Sequence, residues 1–404
     1  MTIEKVDTLI IGGGQAGLAM SAHLAMRGAS HLIVERNRVA ESWRTARWDS
    51  LVANGPAWHD RFPALAFDDL DPNSFAPRDR IVHYFETFAK QINAPLRCGV
   101  AVKSLERDAA GFIAQTSEGK IAASSVVVAT GPFQRPLIPT LVPQDAGIMQ
   151  MHSNSYRNPG QLPEGAVLVV GAGSSGSQIA DELLRCGKRV YLSLGPHDRA
   201  PIRYRGKDFC WWLGVLGQWD AKTREPGTEH VTIAVSGAHG GHTVDFRKFA
   251  ARGMTLLGRV GQFEAGAMHV AQDLARNVVN GDGYYLNVLD KADAYIDANA
   301  LDFPEEPEAR IIGPAPQSMT DPILKLHLKD AGITSIIWAT GYTLDFSWLK
   351  IDTFDASGRP DHLRGISKVP GLYFLGLPWL SCRASPFIWG VWHDAAYLAE
   401  HIKA

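Results

Sequence analysis

Two stretches of this 404-residue chain share one layout. "DTLIIGGGQAGLAMSAHL" (7–24) and "AVLVVGAGSSGSQIADEL" (166–183) each read as an apolar strand, a glycine turn and the start of a helix. Gly12, Gly14 and Gly17 fill GxGxxG in the first; Gly171, Gly173 and Gly176 fill it in the second. The first glycine permits the tight turn, the second lets backbone N–H groups approach a pyrophosphate, and the third lets helix and strand pack closely. The positive end of the helix then faces the phosphates. A lone GxGxxG is weak evidence, but a strand before it and a helix after it are the context the motif requires. Both copies have that context, so Gln15 and Ala16 in one loop, and Ser174 and Ser175 in the other, are expected beside a dinucleotide. Each helix closes on a glycine suited to a C-cap.

A second repeat accompanies the first. "SSVVVATG" (124–131) and "TSIIWATG" (334–341) are β-branched runs ending in Ala129-Thr130-Gly131 and Ala339-Thr340-Gly341. Glycine loop and ATG strand therefore occur twice in the same order. Gly12 and Gly131 are 119 residues apart and Gly171 and Gly341 are 170 apart, so the second unit carries 51 more, expected around 205–310.

The two units differ at the end of the next strand. "HLIVER" ends on Glu35, 21 residues after Gly14, where a carboxylate accepts hydrogen bonds from a ribose diol and repels a 2′-phosphate. The corresponding strand of the second unit, "KRVYLSLG", ends without an acid, and Arg199, Arg203 and Arg205 come after it. Guanidinium groups suit a phosphate, so the second site is expected to take NADP in preference to NAD. Two dinucleotides in one chain imply electron transfer between them, with FAD the natural occupant of the first site and NADPH bringing hydride to it.

Composition narrows the class. Hydrophobic residues make up 46%, charged residues 20%, and the formal net charge is −2 without a long basic run, so neither nucleic acid nor an anionic membrane surface is an expected partner. Cys98, Cys186, Cys210 and Cys382 form no CxxC pair, which argues against a redox disulfide or zinc site and fits a reducing cytoplasm. "MTIEKVD" leads straight into a strand, so no signal peptide is expected, and no apolar run reaches the roughly 18 residues of a membrane helix.

With both loops, both ATG strands and the C-terminal "PGLYFLGLPW", the chain resembles the flavin-containing monooxygenases and their bacterial and YUCCA-like relatives. The resemblance spans nearly the whole chain. It implies that Gly376 contacts the flavin, that Trp43 and Arg44 of "ESWR" lie beside it, and that Asn54 of "LVANGPAWH" is the catalytic residue next to the ring. On local chemistry alone, Asn54-Gly55-Pro56 is a turn. "GIMQMHSNSYRNP" (147–159) resembles the family fingerprint FxGxxxHxxx(Y/F) through His152 and Tyr156, but its first half diverges. "SCRASPFIWGVWHDAAYLAEHI" (381–402) reads as a terminal helix capped by Ser385 with Pro386 at its first position; related flavoproteins aim such a helix at the flavin.

The fold expectation is α/β, with two Rossmann-like dinucleotide-binding domains, one inserted in the other. The FAD domain is expected over 1–155 and 336–404, and the NADP domain over 156–335. The resemblance implies a monooxygenase that forms a C4a-hydroperoxyflavin from O₂ and oxygenates the nitrogen or sulfur of a small molecule. It also allows a homodimer. Trp211, Trp212, Trp219, Trp379, Trp389 and Trp392 suit either packing or the walls of an apolar or aromatic pocket. The rivals are Baeyer–Villiger oxygenation of a ketone, a flavin disulfide reductase lacking its cysteine pair, and a flavin-bound NADPH oxidase or redox sensor.

Overall fold

The computed structural model describes residues 3–222 and 233–402. Strand Glu4–Ile11 lies between strand His31–Glu35 and the first ATG strand, Gly119–Val128, and runs parallel to both. The last residues of each dinucleotide and ATG run are buried in succession, the pattern of parallel strands covered on both faces. An antiparallel hairpin, Val102–Asp108 with Gly111–Thr116, continues the sheet from Gly119–Val128. Leu372–Phe374 also pairs with Gly119–Val128, Phe374 opposite Val128, so the end of the chain returns to the first sheet. The terminal helix Ile388–His401 packs on helix Gln15–Met26.

The second sheet repeats this order. Strand Ala166–Val170 lies between Val190–Ser193 and the second ATG strand, Ile333–Trp338, all parallel, with Thr255–Leu257 outside Val190–Ser193. Both glycine-loop helices end as expected, with Gly28 at φ +69° and Gly187 at φ +77° just past the last turn. The core divides likewise: Leu9, Ile10 and Val127 are buried in the first unit, and Val167, Val169 and Ile337 in the second.

Three expectations change. The borders move, because Met149–His152 already forms the outer strand of the second sheet, parallel to Ile333–Trp338, and residue 336 falls inside that latter strand. The chain crosses between units at Arg135–Pro136 and Tyr342–Thr343, which pair antiparallel with each other. The extra residues do not form one block over 205–310, since Thr255–Leu257 belongs to the core sheet. Within that span, the additions include helix Phe209–Val215 and the long helix Leu274–Ala298, while 223–232 lies outside the described residues. Finally, Ser385 does not cap the terminal helix and Pro386 is not its first residue. That helix starts at Ile388, and Ser385 Oγ accepts instead from the Ser381 and Cys382 N–H groups. The Arg383 and Ala384 N–H groups are taken by the Ala221 and Trp219 carbonyls, which holds this stretch outside the helix.

Candidate functional site

The two glycine loops correspond down to single atoms. Gly12 has φ +114°, and a Cβ there would stand 2.5 Å from the Ala129 carbonyl oxygen. Gly171 has φ +104°, and a Cβ there would overlap the Ala339 carbonyl oxygen. The alanine of each ATG motif thus forms the wall of its turn. A Cβ on Gly17 or Gly176 would overlap the carbonyl oxygen of Gly12 or Gly171. Gly14 is different, since nothing lies within 4 Å of the Cβ that it lacks, and Gly173 is its counterpart in the second loop. Each is an extended N-cap with no side-chain cap on its helix. Two helix starts therefore present backbone N–H donors free of a side-chain cap, which is what a pyrophosphate requires. The residues present fit two dinucleotides.

Around the first loop, Glu35 Oε2 accepts from the Gly13 N–H over 2.7 Å and Oε1 from the Asn37 N–H over 2.9 Å. Each carboxylate oxygen keeps further acceptor capacity for ribose hydroxyls. Gln15 Nε2 donates to the Pro386 carbonyl, and a Cβ on Gly376 would come within 2.8 Å of Ala16 Cβ. Loop, Gly376 and terminal helix are therefore one assembly. Trp43 is half-buried and packs on both cores, whereas Arg44 turns away to pair with Glu86. Thr130 Oγ accepts from Gln134, Thr340 Oγ donates to the Leu137 carbonyl, and both Gly131 (φ +70°) and Gly341 (φ +83°) face open space.

The second loop departs from expectation in its cations. Arg199 is 3% exposed, and both its Nε and Nη2 bond Asp282, which also binds Arg247. A buried, paired guanidinium is not free for a ribose phosphate. Arg203 donates to the Gly240 and Asn73 carbonyls, and Arg205 to Asp293 and the Pro304 and Phe303 carbonyls. All three serve the scaffold. Ser174 Oγ donates to the Ile233 carbonyl, while Ser175 is exposed on the first turn.

Between the units, Asn54 Oδ1 accepts from Gln178 Nε2 over 2.8 Å, and Gln178 also donates to the Val235 carbonyl. The implied catalytic asparagine is thus held by the helix of the second glycine loop. Gln178 carries no sequence signal, because its partner is 124 residues away. A groove of about 570 Å³ opens nearby between Val52, Asn73, Phe75 and Arg203, Gly237, Gly240. Behind the Asn54 turn, buried His59 bonds Asp60 and is surrounded by Trp58, Trp219 and Trp389. Trp212 is fully buried core. His152 Nε2 meets the Gly341 carbonyl at 2.9 Å while Nδ1 accepts from the Asn154 N–H, so the ring is a neutral Nε2–H tautomer and burial lowers its pKa. Tyr156 OH donates to Glu182 over 2.6 Å, and burial with that carboxylate raises its pKa. The fingerprint residues therefore fasten the linker to the second unit. All four cysteines are free. Among the described residues no helix is long and apolar enough to cross a membrane.

This pair of linked dinucleotide units defines a two-nucleotide flavoprotein oxidoreductase. Residues 9–212 match the family model described as pyridine nucleotide-disulphide oxidoreductase. The CzcO-like oxidoreductase of Geobacillus kaustophilus is 33% identical over 98% of both chains. The indole-3-pyruvate monooxygenase YUCCA1 of rice is 27% identical over 91% of this chain and 86% of its own. A flavin-containing monooxygenase from Stenotrophomonas maltophilia superimposes with a TM-score of 0.69 at 18% identity, covering 99% of this chain and 98% of its own. The chain belongs to the pyridine nucleotide-disulphide oxidoreductase family, and it is similar to flavin-containing monooxygenases. It is an FAD- and NAD(P)H-using oxidoreductase.

Proposed function

We propose that this flavin monooxygenase takes its electrons from NADPH and transfers one atom of O₂ to a soft nucleophile, an amine nitrogen or sulfide sulfur, of a small apolar or aromatic molecule. The other oxygen atom leaves as water. The observation that carries the reading is the inequality of two otherwise matching sites: Glu35 stands at the first ribose position and no acid ends strand Val190–Ser193 at the second. FAD, when bound, supplies the redox chemistry with O₂.

The chain's own residues do the rest. The Gly14 and Gly173 turns offer backbone N–H donors to the two pyrophosphates. Glu35 accepts from the first ribose. The terminal helix sets its positive end behind the first loop, through the Gln15–Pro386 bond. Asn54, with its carbonyl oxygen committed to Gln178, keeps its amide N–H groups as donors toward the reacting oxygen. The tryptophans around His59 close the back of that turn and exclude water.

A carbonyl substrate is the second reading, favoured by the similarity to the rice indole-3-pyruvate monooxygenase. The test is to reduce the FAD-loaded protein with NADPH and turn it over in air with methyl p-tolyl sulfide, N,N-dimethylaniline and indole-3-pyruvate. Sulfoxide or N-oxide is expected. Product from the 2-oxo acid alone favours the second reading, and hydrogen peroxide alone with every probe overturns oxygen transfer.

A further inference from the structure

The NADPH reading leaves the second site without its cation, since Arg199, Arg203 and Arg205 are all committed elsewhere. In this fold the adenosine ribose lies beyond the carboxyl end of the strand that comes after the glycine-loop helix. Here that end is Ser193, with Leu194 and Gly195 after it. The neighbouring strand runs parallel, with Ser193 opposite Leu257 and the Leu194 N–H bonded to the Leu257 carbonyl. Two residues further along each chain, Gly195 faces Arg259.

The contact is direct. A Cβ on Gly195 would stand 3.5 Å from both Cγ and Cδ of Arg259, so the arginine stem lies across the glycine. Its guanidinium is oriented from behind. Arg259 Nε donates to Asp273 Oδ2 over 2.7 Å, and the Arg259 N–H donates to Asp273 Oδ1 over 3.0 Å. Burial alone would raise the Asp273 carboxyl, but these bonds outweigh it and hold it below its usual value. The two terminal nitrogens of Arg259 have no hydrogen-bond partner among the described residues, and its side chain is 57% exposed. Leu194, which stands where Glu35 stands in the first unit, is fully buried and carries no charge to reject a phosphate, and the Ser193 hydroxyl before it is bonded to the Gly258 carbonyl.

We infer that Arg259, aimed by Asp273 and laid over Gly195, is the residue that binds the 2′-phosphate of an adenine dinucleotide. An arginine held at Nε presents its two outer nitrogens as a fork, the geometry that suits a phosphate. This rests on the NADPH reading, and the experiment separates the two.

Dissociation constants of NADP⁺, NAD⁺ and adenosine 2′,5′-bisphosphate are measured calorimetrically on FAD-loaded protein, for the wild type, R259A and R259Q. The glutamine variant keeps a donor for Asp273, and NAD⁺ affinity reports an intact site. Wild type is expected to prefer NADP⁺. Both variants are expected to bind NADP⁺ and the bisphosphate about tenfold to a hundredfold more weakly, the range for a hydrogen-bonded charge, with NAD⁺ within about twofold. Wild-type preference for NADP⁺ that survives in both variants overturns the role of Arg259 alone. A wild type that binds NAD⁺ as tightly as NADP⁺ overturns the NADPH reading and this inference with it.

Discussion

Gln15 Nε2 donates to the Pro386 carbonyl oxygen over 2.6 Å, joining the first glycine loop to the approach of the last helix across 371 residues of chain. Gly376, seated against Ala16, strengthens the same joint. The first cofactor site is therefore built from both ends of the sequence. Gln15→Ala removes the link without touching the glycine turn. The loss of one neutral hydrogen bond is about 1 kcal/mol, so FAD affinity should fall roughly fivefold while NADP⁺ affinity is unchanged. Flavin retention on gel filtration and titration of the apoprotein with FAD measure it.

Gly171 and Gly173 are two residues apart and should respond oppositely to alanine. At 171 the backbone is left-handed and a Cβ overlaps the Ala339 carbonyl, so Gly171→Ala should cost about 2–4 kcal/mol and lower the melting temperature. At 173, φ −68° and ψ −176° suit any residue. Gly173→Ala should melt with the wild type yet weaken NADP⁺ binding, because its methyl occupies the approach of the pyrophosphate. Thermal melts beside nucleotide titrations decide it.

Asn54 is tied to Gln178 rather than to its own turn. Asn54→Ala leaves Gln178 its bond to the Val235 carbonyl, so stability should drop by only about 0.5–1.5 kcal/mol. If Asn54 serves the reacting oxygen, the yield of oxygenated product per NADPH should fall at least roughly tenfold, with hydrogen peroxide making up the balance. Unchanged coupling of NADPH to product refutes that role.

Burial lowers the pKa of His23, His31, His152, His197 and His362. Their unfolded pKa is about 6.5, so as pH falls through that value the unfolded chain takes up protons that the folded chain does not. Stability is then highest above about pH 6.5 and declines below it until the folded histidines also protonate. The melting temperature should fall from about pH 7.5 to about pH 5.5, and a flat profile contradicts this.

The repeat is legible because its causes are local. A β-branched run leading into GxGxxG specifies strand, turn and helix within 18 residues, and Gly12 and Gly171 show why, each facing the alanine of its own ATG strand. The features that escape the sequence depend on distant partners. Arg199 reads as a surface cation until Asp282 is placed beside it, and Arg259 gives no signal because its position opposite Gly195 is a matter of sheet register. Ser385 reads as a helix cap, yet the helix begins only at Ile388 and the Ser385 hydroxyl accepts from the backbone before it. The linker strand Met149–His152 pairs with residues almost two hundred positions later, which no local pattern encodes.

Oxygen transfer itself is tested by a single turnover with labelled oxygen. The FAD-loaded protein is reduced anaerobically with one equivalent of NADPH, then mixed with ¹⁸O₂ and methyl p-tolyl sulfide, and the products are analysed by mass spectrometry. Sulfoxide carrying one ¹⁸O atom is expected, with NADP⁺ and water as the other products. Full reoxidation of the flavin with all the label in hydrogen peroxide and none in the sulfide, repeated with N,N-dimethylaniline, would contradict a monooxygenase.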